Sequence, residues 1–252
     1  MSYHFVAPQY VGYPAIEGVP LAAPATGAFP AITPGELVSA EDAVWGPGEF
    51  VFGRANGAIR QFGACVLTPV WDGTARTYTM NFTECPNTAL LGRSLYVAQA
   101  SGAMVSGQYG WFQTSGVTPV NGTATVAADV AVGIIAAGQV ATTAISKQIL
   151  NARCVTPATQ TVVKTAIAGA SGDTKISVSN TDGWIVGGYV SGTGVGAAAI
   201  ITFVDPLGGY ILVSVVSTAS LVGQAITVTY NNATIFYNVI YMNRAMVQGP
   251  IT

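Results

Sequence analysis

Turn dipeptides punctuate this chain, and they constrain its fold more than any other feature. Asn56-Gly57, Asp72-Gly73 and Asn121-Gly122 separate short runs of β-branched and aromatic residues. Asn-Gly and Asp-Gly suit two-residue hairpins because both central residues take positive φ. Between them stand GEFVFG, ACVLTPV, RTYTMNF, SLYVAQA and GWFQTS, all strand-like. RTYTMNF alternates cleanly: Tyr78, Met80 and Phe82 face one way, and Thr77, Thr79 and Asn81 the other. Residues 45–157 therefore read as β. Short helices over residues 85–91 and 146–151 are weak alternatives within that stretch.

A second run of turns and strands fills residues 165–230. Asn-Thr-Asp-Gly, Gly-Thr-Gly and Pro-Leu-Gly-Gly separate its strands, which predicts a small all-β module. The following run, ATIFYNVIYMNRAMVQ, is again a long strand. That order predicts an insertion, with the first domain interrupted near Pro157 and recovering its last strand after Asn231.

Residues 1–36 have another texture. Six of the thirteen prolines fall there, at positions 8, 14, 20, 24, 30 and 34. Each removes a backbone donor and disfavours helix in the residue before it. An extended arm is the expectation, and Phe5, Val6, Tyr10, Tyr13, Ile16, Leu21, Phe29 and Ile32 give it more apolar side chains than disordered tails carry. Such an arm is expected to lie across a neighbouring molecule. The expected fold is thus mainly β. A β-barrel or sandwich-like core (37–160 and 231–252) carries an inserted small all-β domain (165–230) and an extended N-terminal arm (1–36).

Charge is the unusual part of the composition. Asp, Glu, Lys and Arg make up 8% of residues, against about 25% in an average soluble protein. Between Arg93 and Arg153 only Asp129 and Lys147 are charged. Interface centres are depleted in charge, so this desert is expected to be covered by other subunits. Mean hydropathy is high at +0.49. Yet the longest weakly polar stretch, 127–145, contains Asp129, Gln139, Gly133 and Gly138 and falls short of a membrane span. The first residues have neither a basic n-region nor an apolar h-region, so no secretory signal is read there. Without one, the N-x-T triplets at Asn81, Asn121 and Asn232 are chance matches, and the cytoplasm is the expected site of folding and assembly.

A search for chemistry finds no catalytic, cofactor-binding or metal-binding set. The one histidine, His4, lies in the arm, away from any rigid framework that a triad requires. Cys65, Cys85 and Cys154 are odd in number and widely spaced, so neither a disulfide framework nor a zinc site follows. The acids fall at turns (Asp72, Asp182, Asp205) or near the end of the arm (Glu36, Glu41, Asp42), where turn chemistry accounts for the first group. SGTGVGA matches a loose dinucleotide fingerprint at Gly192, Gly194 and Ala197, but a strand rather than a helix follows it. Nine scattered Lys and Arg residues form no basic stripe for nucleic acid. In GQYGWFQTSG, Trp111 and Phe112 are adjacent on a strand and must point to opposite faces. Packing is the expected role of both, with Gln108 and Gln113 beside them as the polar groups a carbohydrate platform would need.

The string LYVAQASGAMVSGQYGWFQTSGVTPV (95–120) resembles decoration, or cement, proteins of tailed-bacteriophage capsids, as does FVFGRANGAIRQF earlier in the chain. DGWIVGGYVSGTGV is similar to a small β-module that recurs in phage virion proteins, departing from its pattern at Gly188 and Tyr189. The resemblance implies a non-enzymatic virion protein with no cofactor. It would bind the major capsid protein on the outer surface of the shell, associate with itself as a trimer or dimer, and stabilise the lattice. A tail, fibre or other surface-binding component, with the β-module recognising a glycan, is the alternative. A major shell protein fits less well, because no segment supplies the long helix usual in that fold.

Overall fold

A computed structural model describes residues 4–5, 16, 20–22, 32–42, 45–72, 77–100, 102–155, 161–205, 208–230 and 236–248. These are all-β, with no helix among them; residues 85–91 and 146–151 are turn, loop and strand. The first strands are β1 (His4–Phe5), β2 (Leu37–Asp42), β3 (Gly46–Ala55), β4 (Ala64–Asp72), β5 (Thr77–Glu84) and β6 (Leu95–Ala98). Next come β7 (Tyr109–Asn121), β8 (Ala131–Ala136), β9 (Gln139–Thr142) and β10 (Gln148–Cys154). Then follow β11 (Thr161–Ala168), β12 (Lys175–Val178), β13 (Tyr189–Ser191), β14 (Ala199–Asp205), β15 (Tyr210–Val213), β16 (Ala225–Thr229) and β17 (Tyr237–Val247).

The chain divides into two compact units, one built from Thr159–Phe236 and the other from Tyr3–Glu41, Trp45–Ala158 and Tyr237–Thr252. The chain leaves the larger unit after β10 and returns at β17. These two strands pair antiparallel, with Cys154 opposite Ile240, so the excursion starts and ends at neighbouring points.

The larger unit is an eleven-stranded sheet in the order β1-β2-β3-β5-β4-β6-β7-β17-β10-β8-β9. It also closes on itself. β3 pairs parallel with β5, β5 with β4, β4 with β6, β6 with β7, and β7 back with β3. Alternate residues of all five strands fill this circuit: Val51 and Ala55, Met80 and Phe82, Cys65 and Leu67, Tyr96 and Ala98, and Phe112. Phe82 stacks on Phe112 with ring centroids 3.8 Å apart and meets Tyr96 edge-on at 5.1 Å. Gly53 makes room for this. A Cβ there would lie 2.1 Å from Phe82 Cε2, so only glycine lets β3 pass beneath the ring.

Only one of the three turn dipeptides stands at a hairpin. Asp72 ends β4, which pairs along its whole length with β5; Gly73 lies outside the described residues. Asn56-Gly57 follows β3, whose partners are β2, β5 and β7, and Asn121 ends β7, whose partners are β3, β6 and β17, with Gly122 just after it. At those two places tertiary pairing overrides the local hairpin signal.

Most of the expected arm lies outside the described residues. Its described pieces dock on the larger unit of their own chain. His4 and Phe5 pair with Glu41 and Ala40, and Leu21 and Tyr109 exchange backbone hydrogen bonds of 2.9 Å. Ile16 and Ile32 are buried. This differs from an arm held out for a neighbour. The outer face of β7 needs a cover, and the chain's own N-terminal side chains supply part of it.

The smaller unit is a closed six-stranded barrel, β11-β12-β15-β14-β13-β16. Alternation fills its interior: Ile176 and Val178, Ile211 and Val213, Val190, Ile201, Ile226 and Val228 are all buried. Trp184 and Tyr230 are buried with them, and the Tyr230 hydroxyl donates to Gly183 O. The glycine-rich stretch at Gly192 and Gly194 joins β13 to β14, which pair antiparallel. It is a turn between strands, with positive φ at both glycines, and no helix follows it to hold a pyrophosphate.

Candidate functional site

The residues weighed for chemistry are dispersed. Among the described residues no group of three or more His, Cys, Asp or Glu side chains stands together. The three cysteines are buried and unpaired in disulfides. Burial, then the negative charge of Glu84 and the neighbouring Cys85, holds the Cys65 thiol well above its ordinary value. Burial pushes Cys85 up to about 12, partly offset by Arg93. Thiols held protonated in this way are poor nucleophiles and poor metal ligands. The acids at turns do local work: Asp205 accepts from Gly208 N–H at 2.8 Å, and Asp173 from Ala170 N–H at 3.3 Å. Backbone pairing places His4 on β1 beside Glu41.

Trp111 and Phe112 take opposite faces, as their adjacency requires. Phe112 enters the closed circuit against Phe82. Trp111 lies outside it, edge-on to Phe52 at 5.1 Å and covered by Phe5 at 5.8 Å. Both are buried, so neither offers a platform to a sugar. Gln113 is buried too and donates to Ser115 O and Val117 O, while Gln108 accepts from Val105 N–H within a turn. The stretch is structural. Much of the charge desert has the same explanation: β7 runs between β3 on one side and β6 and β17 on the other, and most of its side chains are buried. Burial inside the unit, without any neighbour, accounts for the lack of charge there.

A different surface was legible only in part. RTYTMNF alternates as expected, yet its face does not stay buried. Phe82 lies inside the circuit, Met80 is half-buried, and Tyr78 is 60% exposed. Tyr78 stands opposite Trp71 on β4, which is 51% exposed, with ring centroids 5.0 Å apart. The face that lines the core therefore runs outward along the β4–β5 ribbon and ends in two exposed rings. Sequence periodicity finds the face but not the point where the circuit stops covering it.

Two open grooves flank this architecture. One, of about 330 Å³, lies along β4 between Leu67, Pro69 and Tyr96, with Arg93 donating to Thr68 Oγ1 at 3.2 Å. The other, of about 640 Å³, follows the irregular pairing of β10 with β17 and is lined by Leu150, Asn151, Arg153 and Tyr241. There the register slips between Leu150 and Ala152, and Asn151 and Arg244 take positive φ. Arg153 pairs with Asp129 at 2.7 Å beside it. The first groove is lined mainly by Leu67, Pro69 and Tyr96, whereas the second also carries Gln148, Asn151, Arg153, Tyr241 and Asn243 along an open face.

Among the described residues no helix is long and apolar enough to cross a membrane. No family model, no curated protein and no solved structure matches this chain.

Proposed function

We propose that this chain is a structural virion protein that binds the outer surface of a phage capsid and stabilises its lattice. Its partners on this reading are the major capsid protein and further copies of itself, with assembly in the host cytoplasm and residence on the capsid surface. It performs no catalysis and needs no cofactor. The observation that carries the reading is the surface. Twenty charged side chains share 11082 Å², roughly one per 550 Å². Large apolar side chains stay exposed on both units, among them Trp71, Tyr78, Val105 and Ile145 on the larger and Val163, Ile167 and Val222 on the smaller. Contiguous exposed apolar side chains mark protein contacts, and Trp71 and Tyr78 form such a pair; a chain with net charge −2 has little repulsion to hold copies apart. The resemblance of residues 95–120 to decoration proteins supplies the lattice.

The tail or fibre alternative draws on the smaller barrel. Thr161, Thr229 and Tyr189 form one outward row across β11, β16 and β13, an uncharged set of hydroxyls with an aromatic ring. Mixing the protein with purified capsids that lack it, followed by co-sedimentation, tests the first reading. Saturable binding that raises the temperature of capsid disruption is expected. Failure to bind, together with retention on a glycan array, would overturn it in favour of the second.

A further inference from the structure

Beyond the closed circuit the β4–β5 ribbon stands alone. β4 pairs with β6 only over Ala64–Val66, and β5 with β3 only at Asn81 and Phe82. Among the described residues, β4 from Pro69 to Asp72 and β5 from Thr77 to Thr79 have only each other as strand partners. A two-stranded ribbon is marginal in water, and this one ends in two adjacent exposed rings, whereas Trp45 and Trp111 of the same unit are buried. Something is needed to cover them.

Strand addition along β4 is not the solution the sequence favours. Cys85 N–H donates to Ala64 O at 2.8 Å, so the even-numbered residues of β4 turn their backbone groups to β5. Leu67, Pro69 and Trp71 turn theirs outward. Pro69 has no N–H to give, and proline on an exposed edge blocks further pairing. The ribbon's face remains. On it, two-residue alternation and the register put Leu67, Pro69 and Trp71 beside Phe82, Met80 and Tyr78. None of these six is charged.

We infer that this face is a homotypic contact: two copies pack Trp71 and Tyr78 of one ribbon against Trp71 and Tyr78 of the other about a two-fold axis. Three features point to a second copy as the occupant. An isologous contact sets each residue against the same patch, and an uncharged face meets itself without repulsion. The rings of each copy lie tilted at 55°, and a second tilted pair at 4.5–7 Å extends that into an aromatic cluster of favoured geometry. The area suits a small, weak dimer. Trp71 and Tyr78 each expose about 100–150 Å² on the usual aromatic scale, so four rings contribute on the order of 500 Å². Pro69 and the backbone of two ribbons add to this on the same face, within the range of small, transient interfaces. The inference deepens the assembly reading by naming its self-contact, and it is tested without capsids.

Sedimentation velocity over a concentration series is the test, with the full chain and its Trp71→Ser/Tyr78→Ser double variant. The wild type is expected to dimerise, and the double variant to lose affinity by about 100-fold or more, as removal of central aromatic anchors does. Thr79→Ser, on the other face of the ribbon, should leave the dimer unchanged. A wild type that stays monomeric to ~100 μM, or a folded double variant that dimerises as tightly, overturns the inference. If the double variant fails to fold, Tyr78→Cys replaces it. Under glutathione disulfide it should form covalent dimers far faster than Ile145→Cys, whose site is 94% exposed; equal rates overturn the contact. A wild type that dimerises through the ribbon yet never binds capsids would refute the lattice function alone.

Discussion

Gly53→Ala is the smallest change that tests the packing of the larger unit. The added Cβ would stand 2.1 Å from Phe82 Cε2, 2.5 Å from Phe82 Cδ2 and 3.0 Å from Met80 O. None of these yields easily. Phe82 is fully buried and stacked within 8° of parallel on Phe112, and the Met80 carbonyl belongs to the strand. Overpacking of this kind costs typically 1–3 kcal/mol. The reduced freedom of the unfolded chain returns only about 0.4–1 kcal/mol, so a net loss of about 1–2 kcal/mol is expected. For a unit of this size that lowers Tm by about 2–8 °C. Gly102→Ala is the control. Nothing lies within 4 Å of its Cβ and its φ is not positive, so its Tm should hold or rise slightly. Scanning calorimetry resolves the two, and the shift should fall on the transition of the larger unit. Trimming the ring, as in Gly53→Ala/Phe82→Leu, should make the pair less damaging than the sum of its singles. A Gly53→Ala protein that melts with the wild type would refute the closed circuit as described.

Alkaline pH should weaken the fold through its thiols. Cys85 titrates near 9.0 when unfolded and about 12 when folded. The unfolded chain alone releases that proton as pH rises from about 9 toward 12, so stability present below pH 9 declines by up to about 1.4 kcal/mol per pH unit. Urea midpoints measured across that window check the slope, and Cys85→Ala should flatten it. Ile16→Ala should cost about 2–4 kcal/mol, because Ile16 is fully buried and its segment belongs to the larger unit; an unchanged urea midpoint would restore the arm as a free tail. Glu84→Gln should cost about 1–2 kcal/mol by weakening the acceptor of both Arg60 N–H (2.7 Å) and Arg60 Nη1 (2.5 Å), read from the same denaturation curves.

The β character was legible because it is local. Alternation in residues 77–82 and turn signals through 165–230 depend on neighbours in sequence, and both correspond to strands. The closed circuit was not legible, because it rests on β3 pairing with β5 and β7 across long separations, which no local pattern encodes. The same cause misdirected the hairpin reading of Asn56-Gly57 and Asn121-Gly122. Charge depletion in residues 94–152 carried two meanings at once. Interface and interior both exclude charge, and only the position of β7 between β3, β6 and β17 assigns much of it to the interior. Trp71 is a further case: no local pattern marks where the circuit ends, and that end leaves it 51% exposed.

The central claim is a structural role on a capsid lattice, and the count of this chain in purified particles tests it most directly. Quantitative mass spectrometry against the major capsid protein of the same particles gives that count. A lattice protein is expected at hundreds of copies, in a fixed ratio to the shell subunit. A handful of copies per particle, or loss of the protein on purification, would contradict the account.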